Sequence, residues 1–414
     1  MKLGERIYYH RVKEGMTQKE LAAGICSIPY LSKIENNNTE ASEEIISMLF
    51  KKLGIEYSMN DEEFENKTLE LINEWYKAIK SKNIEQEELY HHCKLNMSSI
   101  TNPTIINQYT LVHIRYCLFK QEFSQSVKLI NELNDVEKLF SEDQQYMFYH
   151  LKGVYYYFQN DLNRALELLI KSHQISKKIN LLEKDPHVYY MLSLTYSRLF
   201  HISDAIYYAE VALDYYQRDF DYERMIDTRS ILIINYIRLN QFDEALINLE
   251  SSLRFAEKIK DDIRLGNIYH NFGYLYFQQS EDKKAIEYYF RALEYKSEET
   301  ETFWNTVMYI LKAYLNVNEH HHFNHWLNKG LEYAQKNKWE FIENKLKTID
   351  SLYNIKSDHS REYLENKAIP YFRKNYTPDT LIEIYTKLGD YYYEFAKYKK
   401  SSDFYKCIIT LSKV

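Results

Sequence analysis

Apolar residues in the first 57 positions recur at the three- and four-residue steps of helices, in four short runs. Leu3, Ile7 and His10 or Arg11 share the first face, Leu21, Ala22 and Ile25 the second, and Leu31 and Ile34 the third. Ile45, Ile46, Leu49 and Leu53 make a fourth, from Ser42 to Leu53. Helix starts are written between the runs. Thr17-Gln18-Lys19-Glu20 is a capping box, in which a hydroxyl and a carboxylate satisfy orphan amides. Ser27 can cap the third helix, with Pro29 in its first turn, where a missing amide hydrogen costs little. Burying Leu31 and Ile34 turns Ser27, Ile28, Tyr30, Ser32 and Lys33 outward.

Further along, the pattern lengthens. Ala165, Ala205, Ala245 and Ala285 stand 40 residues apart, each twelve residues after Gly153, Ser193, Ile233 or Gly273 and nine after Tyr156, Tyr196, Tyr236 or Tyr276. The frame continues to Ser126 with Cys117 and Glu85 or Gln86 with Tyr76, and forward to Phe323 with Tyr314 and Gly389, Tyr392 and Ser401. A small residue, a tyrosine three on and an alanine nine further resemble the tetratricopeptide repeat: small groups let paired helices approach, and tyrosine fills the space between them. About nine helical hairpins are expected, residues 339 to 374 being the least typical. A lone hairpin cannot bury its apolar face, so the hairpins must stack into a curved, right-handed solenoid. Its concave face, lined by first helices, would carry Arg115, His150, Tyr157, Tyr190, Arg198, Asn267, His270, Asn271, Asn305 and Lys312. An asparagine amide can donate to and accept from a peptide backbone at once, and Arg115, Arg198 or Lys312 could hold a carboxylate.

Composition agrees with an all-α fold. Only 9 glycines and 5 prolines occur in 414 residues, so hairpin turns and Gly-rich loops are expected to be few. The 41 tyrosines suit half-buried helix contacts, the ring packed and the hydroxyl wet. Four scattered cysteines, Cys26, Cys93, Cys117 and Cys407, without a C-x-x-C spacing imply reduced thiols and a cytoplasmic protein. No apolar run reaches membrane-spanning length, and with an amphipathic helix expected from the first residues no signal peptide is expected. A net charge of −7 gives no general pull on nucleic acid. Residues 1–57 are neutral, with Lys/Arg at 2, 6, 11, 13, 19, 33, 51 and 52 against Asp/Glu at 5, 14, 20, 35, 40, 43, 44 and 56. Any DNA contact must therefore come from local placement. The run from Glu319 to His325 pairs His321 with His325 at one helical turn, but no carboxylate or cysteine set supports a metal there, and an exposed turn is expected. With no phosphate loop, H-E-x-x-H or nucleophile elbow, neither a cofactor nor an enzyme's own pocket is expected.

The first 57 residues resemble the Cro/C1-type helix-turn-helix family. That resemblance implies that Gln18 touches a phosphate, that Ser27, Ile28, Tyr30 and Lys33 meet bases and backbone in the major groove, and that Arg11 and Glu35 pair between the first and third helices. AAGICS is one residue short of the commonest spacing, and Asn36-Asn37-Asn38 replaces the usual glycine; asparagine tolerates the left-handed conformation, so the turn survives.

The whole chain resembles the peptide-sensing regulators of Gram-positive bacteria, the Rap, Rgg, NprR, PlcR and PrgX superfamily, with GICSIPYLSKIE closest to the NprR and PlcR branch. The resemblance implies a dimer or tetramer that binds a short imported signalling peptide in the groove and thereby changes its oligomeric state and its grip on double-stranded promoter DNA. In this reading residues 1–57 bind DNA, 58–62 link, and 63–414 form the sensor, with a hinge in Gly54 to Asp61. LINEWYKAIKSKNIEQEELYHHC, followed by IRYCLFKQ, also resembles the start of Rap proteins, which bind a sporulation response regulator and promote loss of its phosphate. Gln86 would there orient water. A plain protein-interaction scaffold is the third reading.

Overall fold

The computed structural model describes residues 3–55, 62–179, 186–375 and 377–411. Among them every regular element is helical. Four helices open the chain: α1 (Leu3–Lys13), α2 (Gln18–Ala22), α3 (Ile28–Glu35) and α4 (Glu43–Lys52). Three hairpins follow, α5 (Glu62–Lys80) with α6 (Gln86–Asn96), α7 (Pro103–Phe119) with α8 (Phe123–Asn134), and α9 (Glu142–Phe158) with α10 (Leu162–Lys178). Next come α11 (His187–Arg198) with α12 (Ile202–Arg218), α13 (Tyr222–Arg238) with α14 (Phe242–Ile259), α15 (Asp262–Gln278) with α16 (Asp282–Glu294), and α17 (Glu301–Asn316) with α18 (His320–Asn337). The atypical stretch holds α19 (Glu340–Tyr353), α20 (Asp358–Tyr363), a π-helical turn at Leu364–Ala368 and α21 (Ile369–Lys374), and the final pair is α22 (Pro378–Glu394) with α23 (Tyr398–Leu411). Positions 56–61, which include most of the expected linker and hinge, lie outside the described residues; Glu62 already begins α5.

The chain forms two compact units, Met1–Met191 and Leu192–Val414. The helix-turn-helix helices thus share a unit with the first three hairpins. In most hairpins the slots do the predicted work: Ala165, Ala205, Ala245 and Ala285 are each 0% exposed, as are Ser126 and Phe323 in the weaker repeats, whereas in the first hairpin Glu85 is exposed and Gln86 half-buried. The repeat tyrosines stack between paired helices, Tyr196 on Tyr208 at 5.5 Å and Tyr276 on Tyr288 at 5.2 Å between ring centres. Gly273 permits a close approach of paired helices, since a Cβ there would lie 2.4 Å from the ring of fully buried Tyr289. Gly273→Ala is expected to lower the stability of the second unit by about 1–3 kcal/mol, the usual cost of overpacking; an unchanged urea midpoint would contradict this packing.

The turns between paired helices are built without glycine. Gln121, Asn160, Phe200, Asn240, Ser280, Asn318 and Ala396 each hold a left-handed φ between 56° and 62°, five residues before the small slot of the second helix. The repeat imposes this conformation on whatever residue occupies the position, and packing of the flanking helices offsets its cost of roughly 1–2 kcal/mol.

Candidate functional site

The four N-terminal helices close on a core of Ile7, Leu21, Ala22, Leu31, Ile34, Ile46, Leu49, Phe50 and Leu53. The capping box forms: the Thr17 hydroxyl accepts from the Glu20 amide at 3.2 Å, and the Thr17 amide donates to Glu20 Oε2 at 2.7 Å. Ser27 caps α3, and Asn37 takes the left-handed conformation, φ 55°, in place of glycine. Its side-chain oxygen accepts from the Gly4 amide at 3.1 Å. Here α1 crosses α3 so closely that a Cβ on Gly4 would meet the Ile34 carbonyl oxygen at 1.9 Å. Arg11 Nε donates to Glu35 Oε1 at 2.6 Å and Nη2 to Oε2 at 3.0 Å, while Nη1 reaches the Met16 carbonyl at 2.9 Å.

Ser27, Ile28 and Lys33 are exposed on α3, and Tyr30 and Ser32 are half-buried beside them. Ile28, 43% exposed, is an apolar contact held out to solvent. The Gln18 amide donates to Glu35 Oε2 at 2.7 Å, bracing the Arg11–Glu35 pair. Tyr30 packs against the core, with its hydroxyl 3.5 Å from the Glu40 carbonyl.

The structure adds a feature that the sequence reading missed. Helix α1 has a second buried side, which packs on the first hairpins. The Tyr9 hydroxyl donates to Asn107 Oδ1 at 2.6 Å in a fully buried contact, and His10 Nε2 lies 2.8 Å from the Thr101 carbonyl. Arg6 forks onto Glu65 with two 3.2 Å bonds, and Asn102 donates to the same carboxylate at 2.7 Å. Burial lowers the His10 pKa despite the Thr101 bond. The available signal was Tyr9 and His10 lying between core-facing Ile7 and Arg11, more apolar and aromatic surface than one small core needs.

The predicted inner-face residues divide between the two units. In the first, Arg115 is half-buried with its guanidinium 5.0 Å above the Tyr76 ring. His150 does not line an open face: it is 1% exposed, stacked on Tyr146, with Nε2 2.8 Å from His187 Nδ1. Tyr157 and Tyr190 are half-buried, the latter beside the His187 ring. In the second unit Arg198 and Asn267 are exposed, and the half-buried Asn271 and Asn305 side-chain amides make no hydrogen bond among the described residues. His270 packs between Tyr289 and Tyr309 with Nδ1 3.0 Å from Thr306 Oγ1, and burial pushes its pKa down to about 3. Lys312 donates to Glu383 Oε2 at 2.6 Å. Gln86 opens α6 with its amide oxygen buried and unpartnered. The histidine run does not form a turn: His320, His321, His322 and His325 lie at the start of α18, exposed, with His322 stacked on Tyr314.

A capped recognition-type helix followed by tetratricopeptide hairpins defines a regulator class in which a DNA-binding head precedes a repeat-built sensor. Comparison with known proteins agrees. A helix-turn-helix family model matches residues 7–58, and a tetratricopeptide repeat model residues 225–298. The transcriptional activator NprA of Geobacillus stearothermophilus is 32% identical over 278 residues, 67% of this chain and 68% of that one. Among solved structures, the apo form of the quorum sensor NprR from B. thuringiensis superposes with a TM-score of 0.71 at 22% identity, over 84% of this chain and 99% of that one. A Rap protein complexed with competence and sporulation factor gives 0.72 at 16% identity, over 84% and 98%. The chain belongs to the family of the transcriptional activator NprA, and it is similar, at 22% identity, to the regulatory protein RapD of Bacillus subtilis. No described helix is long and apolar enough to cross a membrane.

Proposed function

We propose that residues 1–57 bind two-fold promoter DNA as part of a cytoplasmic dimer or tetramer, and that a short signalling peptide, bound on the inner face of the hairpins, switches oligomeric state and operator affinity. Residues 63–414 are the sensor. The observation that carries this reading is the fusion of output helix and repeats: α1 lies between α3 and the hairpins, bonded to one through Arg11 and Gly4 and to the other through Tyr9 and His10. Any shift of those hairpins moves the recognition helix with them, and coupling then requires only that the peptide favour one arrangement. The solved complex of NprR with its cognate peptide NprX supports a peptide as the ligand class. Two recognition helices must stand about 34 Å apart to enter successive major grooves. The test is operator affinity and sedimentation across a titration with peptides processed from neighbouring small secreted reading frames; constancy of both would overturn the reading.

Ser27, Ile28, Tyr30, Ser32 and Lys33 form the DNA face in this proposal, with Gln18 as the brace that sets its angle. Lys33→Ala is expected to weaken binding about tenfold at low salt and to lower the salt slope by about 1 if it contacts a phosphate. A specificity change at one base pair with the slope intact would assign it to base reading instead. On the inner face, Asn267, Asn271 and Asn305 are the proposed backbone contacts, and Arg115, Tyr157, Tyr190 and Arg198 further candidates. A Rap-like effect on a response-regulator phosphate is less well supported, because Gln86 holds its amide oxygen away from solvent.

A further inference from the structure

Within the second unit, side chains from four different helices meet. Arg238 of α13, Lys312 of α17 and Lys345 of α19 converge on the first turns of α22, where Asp379, Thr380 and Glu383 lie on successive turns of one side. Lys312 Nζ is 2.6 Å from Glu383 Oε2, the Lys345 ammonium donates to Thr380 Oγ1, and Arg238 Nη2 is 4.0 Å from Asp379 Oδ2. Tyr274 and Tyr309 form the floor, close enough to feel the charges of Arg238 and Asp379.

Three features distinguish this cluster from an ordinary surface ion-pair set. First, Arg238 is held independently of its carboxylate. Nη1 donates to the Ser197 carbonyl at 2.8 Å, Asn235 and Ser197 lie around it, and the guanidinium lies 4.5 Å from the Phe200 ring centre. Second, its contact to Asp379 is long. A charge-assisted bond closes to roughly 2.7–2.9 Å, and Asp379 remains 74% exposed while Arg238 is 20% exposed. Third, three cations face two carboxylates, so the site retains one positive charge. A pre-positioned, incompletely matched guanidinium beside two lysines is built to take a better-placed anion.

The geometry points to a carboxylate-binding site formed by Arg238, Lys312 and Lys345, in which Asp379 and Glu383 of α22 are the resident occupants that a carboxylate of the peptide ligand displaces. The inference rests on the proposed peptide-sensing function and specifies its chemistry: the ligand carries an acidic side chain or a free C-terminus at this point. It also supplies a conformational step. Displacing Glu383 and Asp379 breaks the ion pairs of α22 with α17 and α13, so the ligand's carboxylate is exchanged for internal ones and the first turns of α22 lose those two restraints. The resident pair lowers apparent affinity by the fraction of molecules in which the site is occupied.

The test uses the full chain, immobilised, and four randomised heptapeptide libraries: free acid or C-terminal amide, each with or without Asp and Glu. Retention of the carboxylate-bearing libraries severalfold above the amidated, Asp/Glu-free library is expected, and the two intermediate libraries identify the source of the carboxylate. The near-isosteric double variant D379N/E383Q should raise retention of carboxylate peptides roughly tenfold, and Lys312→Gln or Arg238→Gln should abolish the preference. Equal retention of all four libraries by the wild type, or no gain in D379N/E383Q, overturns the inference while leaving peptide sensing intact. Failure to retain any library overturns the groove reading itself.

Discussion

Arg11→Ala is expected to abolish operator binding by unfolding the four N-terminal helices, with the hairpins left folded. Glu35 is 2% exposed at its side chain and Arg11 10%, and the two share bonds of 2.6 and 3.0 Å. Truncating one member of such a pair strands a buried charge, at a cost of about 3–5 kcal/mol. A segment of some fifty residues has a total stability of similar size, about 3–7 kcal/mol. Gln18 alone would remain on the Glu35 carboxylate, and the Met16 carbonyl would lose its donor as well. Amide exchange in α1 to α4 should rise toward unprotected rates, and anisotropy with DNA selected by the wild-type chain should show no binding. The apolar double replacement R11M/E35L should restore protection, because removing both charges also removes the desolvation penalty. Full protection in the single variant would show that the pair is dispensable.

The same pair shows what the sequence made legible. Its two partners are separated by 24 residues, yet a family resemblance assigned them, and the capping box, the Ser27 cap and the left-handed Asn37 followed from local chemistry. The 40-residue frame identified the buried alanines, since a slot that admits only a small side chain leaves a direct mark in composition. Less legible was everything set by the approach of distant helices. Tyr9 and Asn107 are 98 residues apart, and nothing in either local pattern declares the other. His150 sits at a first-helix position that the frame assigns to the inner face, but its neighbour His187 covers it. The repeat frame offers Lys312 as a carboxylate ligand, but the carboxylate it holds comes from α22, 71 residues on, a pairing that only the fold sets. A repeat fixes which residues share a face, whereas the stacking of successive hairpins decides which faces meet.

Mild acid is expected to destabilise both units in a pH range where carboxylates still hold their charge. Burial pushes His113 and His173 in the first unit down to about 4, and His270 in the second down to about 3. The neighbouring cations, Lys94, Lys177 and Lys296 respectively, add to each depression, and the facing aromatic rings Tyr90 and Tyr109, Tyr189, and Tyr289 and Tyr309 offer no compensating anion. All three rings are therefore neutral in the fold well below the unfolded value near 6.5. The unfolded chain binds these protons first, so stability is full above about pH 7 and falls as pH drops through 6.5 toward the folded values, by up to about 1.4 kcal/mol per pH unit for each ring. Partial exposure of His113 and His270 reduces this to a loss on the order of 2 kcal/mol per ring by pH 4.5. Trp75 is fully buried 6.1 Å from His113, and Trp304 is fully buried in the second unit. Chains retaining only Trp75 or only Trp304 therefore report the units separately during urea unfolding at pH 7.5, 6.0 and 5.0. The midpoint should fall in both, and His270→Asn should flatten the Trp304 dependence without changing that of Trp75. Midpoints independent of pH across this range would mean that the rings take up protons in the fold as readily as in the unfolded chain, and the buried contacts assigned to His270 would then be wrong.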